Sequence, residues 1–395
     1  MRKLEYWEKN LIFIWISQFL GMVGMSAVVP FLPLFIRELG VTSSSEVSTW
    51  SGLVFAGPFF ASFFITPLWG VLGDKYGRKI VTVRAILGLA IAQFFVGLSL
   101  SVYQLFITRV LQGFLSGFVP AALALVAANT PKEKNAFALG VLQTSIAAGN
   151  IFGPLIGGFL ADLFGFRAVF FIVAVLLFAT AIIFIFSVEE INKVDKNAKH
   201  DSIKENLKFV FNNKSLFNIS IMIFLTAFGF ALIRPIFVLY FEEFSIDSAY
   251  FATIAGSVYA IVGVTNSISP PWWGKLSSNI GHSKVIIYSS IITGLMYPMH
   301  YFISNYFYLY PVRALIGIGF GGLSPIMFSL MSNFSPQSNK GGILSIGSSF
   351  QILGNSLGLV LGGILAGFTG FRVPFFVTGA VYLSIIFFAK KINTK

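Results

Sequence analysis

Three arginines, Arg109, Arg234 and Arg313, stand inside long apolar stretches, and no Asp or Glu occupies the middle of any of them. A cation at the centre of a bilayer costs at least about 2.5 kcal/mol, so such a group must find polar neighbours or reach an interface. Arg109, Gln112 and Ser116 fall on one helical face, which gives Arg109 polar company, although packing or snorkelling accounts for it as well. Left uncompensated, the three arginines make a positive vestibule that attracts carboxylates and repels cations. Polar pairs recur at helical spacing in Gln143 with Asn150, Tyr259 with Asn266, and Gln351 with Asn355. A stripe of Gln18, Met22, Met25 and Val29, with Phe230 and Phe237, offers flexible and aromatic surface to varied apolar cargo. With 46 phenylalanines in the chain, ordinary bundle packing produces the same aromatic faces.

Other chemistry is excluded by residue type. The chain has no cysteine, which removes disulfides, thiolate ligands and thiol nucleophiles together. His200, His282 and His300 lie too far apart for a metal motif, and no intramembrane cluster of His, Asp and Glu could activate water. Neither an enzyme nor a metal or cofactor is expected.

The elements that must position these residues follow from hydropathy. Of 395 residues, 56% are hydrophobic and 11% charged, against roughly 25% charged in a soluble domain, and the mean hydropathy is +0.83. Helical spans of about 20 residues are predicted at 11–36, 50–72, 80–100, 103–129, 136–161 and 166–188. Six more follow at 216–241, 250–274, 284–303, 306–331, 342–368 and 371–390. The first is too long for a cleavable signal peptide and runs into Pro30 and Pro33. Residues 189–215 read as a cytoplasmic linker between bundles 1–188 and 216–395, with an amphipathic helix built on Ile203, Leu207, Val210 and Phe211. External loops hold only Arg37, Arg167 and Arg372 if both termini are cytoplasmic, and every Lys and every other loop Arg then lies inside. The net charge of +12 therefore reflects topology and lipid contact, and no nucleic-acid partner is expected.

The two halves repeat one another. At a shift of 204, Trp69, Gly77, Arg109 and Gly117 fall on Trp273, Gly281, Arg313 and Gly321. At 205, Gly149, Asn150, Gly153, Gly157 and Gly158 fall on Gly354, Asn355, Gly358, Gly362 and Gly363. Gly165-Phe166-Arg167 recurs as Gly370-Phe371-Arg372. Parallel duplicated bundles of this kind place a substrate site between them near the midplane.

Two segments carry denser patterns. Gly70-Val71-Leu72-Gly73-Asp74-Lys75-Tyr76-Gly77-Arg78-Lys79 fills the turn between the second and third spans, where glycines permit a tight bend and Asp74 can accept from an arginine or a helix N-terminus. A charged loop that merely anchors topology is the simpler account. Its repeat has Ser278 for Asp74 and His282 for Arg78, so a charged latch would be one-sided. In Gly149-Asn150-Ile151-Phe152-Gly153-Pro154-Leu155-Ile156-Gly157-Gly158 the glycines make a smooth stripe for close helix approach, with Pro154 as a kink. Leu359 replaces that proline in the second half.

Gly-x-Leu-x-Asp-x-x-Gly-Arg-Lys resembles the signature of the major facilitator superfamily, and Gly-x-x-x-Gly-Pro-x-x-Gly-Gly resembles the motif of its antiporters. With Phe31-Leu32-Pro33-Leu34, Trp50-Ser51-Gly52 and the fourth-span Arg109-x-x-x-Gly113, the resemblance covers nearly the whole chain. It points to the twelve-spanner drug:proton antiporters, in particular bacterial multidrug-efflux members.

The resemblance implies an all-α membrane protein of twelve helices in two pseudo-symmetric bundles. Gly70, Asp74, Gly77, Arg78 and Lys79 become a conformational latch, and Gly149, Gly153, Pro154, Gly157 and Gly158 a packing motif at a contact between the halves. The first, fourth, seventh and tenth spans line the cavity in this family. They are helped by the second, fifth, eighth and eleventh. Gln18, Met22, Met25, Gln112, Gln143, Asn150, Phe230, Tyr259, Asn266, Gln351 and Asn355 are then candidate substrate contacts. Arg109, Arg234 and Arg313 are candidate coupling or cavity charges. The implied activity is export of amphipathic drugs or metabolites by alternating access, driven by protons, from a monomer in a bacterial inner membrane. Without a mid-span acid, coupling falls to rim groups, Asp74, Asp162, Glu38, Glu242 or Glu243, or to His300, for which packing is the plainer role. The alternative is a carrier for an anionic metabolite, such as a polycarboxylate siderophore, held by the arginines.

Overall fold

The computed structural model describes residues 5–131, 134–190, 203–246, 248–336 and 340–392, without the side chains of Pro67, Val71, Asp74, Ala136, Ile203 and Lys204 and without the surroundings of Gly70 and Gly341. The lysines of the predicted linker at 193, 196 and 199 thus lie outside the described residues. In lipid every backbone amide and carbonyl must be satisfied within the protein, which favours helix throughout apolar segments. The first half contains α1 (Tyr6–Ala27), α2 (Leu32–Glu38), α3 (Ser44–Tyr76), α4 (Arg78–Gly97), α5 (Val102–Phe114), α6 (Phe118–Asn129), α7 (Asn135–Phe164) and α8 (Phe166–Ser187). The second contains α9 (Ile203–Asn212), α10 (Lys214–Ile233), α11 (Phe237–Glu242), α12 (Phe251–Ile268) and α13 (Pro270–Ile280). It continues with α14 (His282–Met299), α15 (Leu309–Gly321), α16 (Ser324–Asn333), α17 (Lys340–Thr369) and α18 (Val373–Ala389). Among the described residues, ten stretches are long and apolar enough to cross a membrane, and α18 is a shorter apolar helix. With α14 in the ninth position, each of the twelve predicted spans is helical.

Five spans predicted as single helices are interrupted, the eighth between α12 and α13 at Ser269. The first and seventh break between α1 and α2 and between α10 and α11, at Pro30 and Pro235, which have no amide hydrogen to continue a helix. The fourth breaks between α5 and α6, where Gly117 adopts a left-handed φ of 110°, and the tenth between α15 and α16.

Contacts divide the chain into two compact units. Unit 1 comprises Met1–Val41, Gly57–Ala198 and Asp247–Ala260, and unit 2 comprises Thr42–Ala56, Lys199–Ile246 and Ile261–Lys395. The first part of α3 therefore belongs with the second-half helices, and the first part of α12 with the first-half helices. Inside unit 1, α1 packs on α7 and α4 on α8. The repeated pairs α10 on α17 and α14 on α18 organise unit 2. Phe35, Phe118, Phe170 and Phe184 fill the first core, and Trp273, Tyr240, Phe375 and Tyr382 the second. The amphipathic helix forms as α9, but Asn206 and Val210 are its buried residues, and Leu207 and Phe211 remain exposed.

Candidate functional site

Gly77 turns the chain from α3 into α4 with φ 107°, and its repeat Gly281 does the same before α14 with φ 91°, a conformation that a Cβ would strain. The side chain of Asp74 lies outside the described part of this turn. The next two residues acquire a partner that the sequence did not reveal. Glu190, just past α8, accepts from the backbone amides of Arg78 (2.8 Å) and Lys79 (2.9 Å), the first amides of α4. A carboxylate there satisfies orphan donors and the positive end of the helix dipole together. Arg78 donates to the Ala124 carbonyl (2.8 Å), and the Lys79 ammonium to the Ile185 carbonyl near the end of α8 (2.7 Å). Asn10 and Tyr6 of α1 both donate to the Glu189 carbonyl (2.8 and 2.6 Å). Glu189 and Glu190, read from the sequence as part of a solvated linker, are instead pinned to α1 and α4, the first by side chains of α1 and the second by the opening amides of α4.

The arginines sort themselves by environment. Arg84, in the second turn of α4, donates to the carbonyls of Leu115 (2.9 Å) and Ser116 (3.2 Å), and stacks 3.3 Å above the Trp69 ring. The α5–α6 break frees those carbonyls, and inside apolar surroundings they require a donor. Trp69 donates to the Phe114 carbonyl at the same break (3.0 Å). In unit 2 the repeat residue Trp273 donates to the Ile318 carbonyl (2.6 Å), one shift of 204 away in donor and acceptor alike. Arg109 and Gln112 are both buried, and the guanidinium donates to the amide oxygen at 2.5 Å. Arg313 is buried as well and lies 3.8 Å over the Phe237 ring, and Arg234 lies 5.8 Å from the Phe230 ring. Phe230 in turn packs on Phe320 at 4.9 Å.

The glycine segment of α7 serves two neighbours. A Cβ on Gly149 would strike Met22 and Val23, one on Gly153 would strike Ser26, and one on Gly157 would strike the Ala27 backbone, so these three seat α1. Ser26 donates across that contact to the Gly149 carbonyl (2.7 Å). Gly153 was expected at a contact between the halves, but the spacing i, i+4, i+8 turns it toward α1 of its own half. Pro154 and Gly158 point the other way. A Cβ on Gly158 would strike the Ala252 carbonyl, and one on Gly256 the Pro154 carbonyl, at the start of α12. Beyond this contact Asp162 accepts from the amides of Ala252 (3.0 Å) and Thr253 (2.7 Å) and from the Thr253 hydroxyl (2.5 Å).

The remaining candidates are scattered. Gln18 is fully buried, and its amide has no hydrogen-bond partner among the described residues. Met22 lies against Gly149, Met25 is half-buried, and Gln143 and Asn150 are exposed along α7. Tyr259 and Asn266 on α12, and Gln351 and Asn355 on α17, are half-buried. His300 is wholly buried, its ring 4.4 Å from that of Phe375 and its Nδ1 3.0 Å from the Tyr297 carbonyl, a packed histidine. Arg372 pairs with Glu243 at 2.7 Å and donates to the Tyr301 carbonyl (2.8 Å), and that carboxylate holds its pKa up. No group of three or more His, Asp or Glu able to hold a metal ion occurs among the described residues.

Comparison with known proteins gives consistent results. The family model described as Major Facilitator Superfamily matches residues 14–265 and again 219–392. The multidrug resistance protein MdtG of Salmonella dublin is 36% identical over 377 residues, covering 95% of this chain and 93% of its own. That of Salmonella typhimurium gives the same figures. Among solved structures, a bacterial homologue of the human lysosomal transporter Spinster, in an inward-facing and unoccupied conformation, aligns with a TM-score of 0.79 at 14% identity, over 98% of this chain and 97% of that one. The nucleoside transporter NupG, in a mutant form, aligns with a TM-score of 0.79 at 14% identity, over 96% and 99%.

Proposed function

Since the chain belongs to the Major Facilitator Superfamily, and is therefore a membrane transporter and not an enzyme, we propose that it exports amphipathic compounds from a bacterial cell in exchange for protons. The observation that carries this reading is the 36% identity, over 95% of the chain, to a multidrug resistance protein. The protein acts as a monomer in the cytoplasmic membrane with both termini inside, and opens its cargo site alternately to the two sides. Gln18, Met22, Met25, Gln112, Gln143, Asn150, Phe230, Tyr259, Asn266, Gln351 and Asn355 are assigned to cargo contact. The turn from Gly70 to Lys79 is assigned to the inner latch, and Glu190 joins it because it holds the first amides of α4. The arginines that would favour an anionic cargo have partners within the protein, Gln112 for Arg109 and Phe237 for Arg313.

The protein should be reconstituted in proteoliposomes and given a pH gradient with a panel of cationic, neutral and anionic compounds. Cationic or neutral amphipaths are expected to move against the proton gradient, and a protonophore to stop them. Transport indifferent to the gradient would remove the proton-exchange reading, and transport confined to anions would remove the multidrug reading.

A further inference from the structure

We propose that Asp162 is an electrostatic clasp that holds the start of α12 on α7, and that its release is a step in opening this end of the transporter. The first amides of any helix lack acceptors within it, and α12 begins at Phe251. The carboxylate of Asp162 accepts from the next two amides, Ala252 and Thr253, and from the Thr253 hydroxyl. The bonds are charge-assisted and lie at the positive end of the helix dipole. No other Asp or Glu, and no Lys, Arg or His, occurs in α7 or α12, whose one further titratable group is Tyr259. The helices packed on α7 add little charge: α1 carries Glu8 and Lys9 in its first turn, α6 carries none, and Arg167 of α8 donates to the Gly97 carbonyl (2.7 Å). Arg37 and Glu38 stand at the end of α2, and Glu242 and Glu243 at the end of α11, before α12 in the chain.

The repeat shows that duplication did not place this acid. The counterpart of Asp162 is Gly367, whose neighbours are Ser45 and Thr49 at the start of α3. That helix begins at Ser44, so Ser48 and Thr49, the counterparts of Ala252 and Thr253, lie a full turn inside it, where amides are already bonded. Only the later start of α12 leaves amides for a carboxylate to hold. The glycine contacts around the acid keep α7 and α12 close enough for the clasp to form, and its charge decides how firmly.

The role in opening rests on the alternating-access reading, but the clasp itself is tested without cargo or gradient. The chain contains no cysteine, so Ala252→Cys, a position 1% exposed, gives a single thiol. Labelling by a membrane-impermeant maleimide is expected to accelerate about tenfold or more with Asp162→Asn, which removes the charge and keeps the shape. Thr253→Val, which spares both amide bonds, should accelerate it only about twofold. A thiol at Ser48, at the counterpart contact, should label equally with and without Asp162→Asn. Equal labelling of Ala252→Cys in the two backgrounds overturns the clasp. Faster labelling at both positions also overturns it, since the charge would then support the fold as a whole. Failure of the pH-gradient assay would remove the exporter reading and leave this result standing.

Discussion

At two equivalent places unit 1 uses a charged residue where unit 2 does not. Where α7 meets α12, Asp162 holds two amides, and where α17 meets α3, Gly367 merely packs. At the broken fourth span Arg84 feeds two carbonyls, whereas its counterpart at the same shift of 204, Tyr288, is an exposed and uncharged ring. The shared features are apolar or backbone-directed: Gly158 and Gly363 each face a carbonyl on the neighbouring helix, and Trp69 and Trp273 each brace a break. Duplication therefore preserved how closely the helices pack, whereas polar groups were placed one by one, wherever a helix happened to start or stop with its backbone unsatisfied. The first unit is held by charge at points where the second is held by shape.

The largest effect is expected where the units are alike. Gly158→Leu and Gly363→Leu each drive a side chain into backbone, at Ala252 and at Ser48, and each should cost about 1 to 3 kcal/mol or more and abolish transport. Thermal unfolding in detergent and proteoliposome flux check both. If only one is tolerated, the packing equivalence fails.

A difference between the units should follow at the breaks. Arg84→Leu leaves the Leu115 and Ser116 carbonyls without their donor and is expected to destabilise by about 1 to 3 kcal/mol. Tyr288→Phe, which removes only the hydroxyl of an exposed ring at the counterpart position, should stay within about 0.5 kcal/mol of the parent. Equal losses in chemical unfolding would mean that unit 2 depends on a polar contact at this position after all.

The smallest effect sharpens the common part. Trp69→Phe and Trp273→Phe each delete one donor to a freed carbonyl, of Phe114 and Ile318, and each should cost about 1 kcal/mol. Melting temperatures of the two variants should fall by similar amounts, and the double variant should show the sum, because the sites lie in separate units.

The sequence by itself determined the twelve helical spans, since apolar segments in lipid can satisfy their backbone in few other ways. It also determined the duplication and the turns at Gly77 and Gly281, because a positive φ calls for glycine in both copies. The glycine segment of α7 was legible as a packing surface, but not the division of its faces between α1 and α12. The partners at helix ends were not legible at all. Asp162 stands 90 residues before the first amide it holds, and Glu190 stands 112 residues after the Arg78 amide. Helical periodicity reports which face of a span is apolar, a local property of neighbouring side chains. It does not report where a helix loses its last intrahelical bond, nor which distant segment the fold brings to that point. Those two facts, settled together by tertiary packing, turned a rim acid into a cap and an arginine near a span's end into the donor for a break.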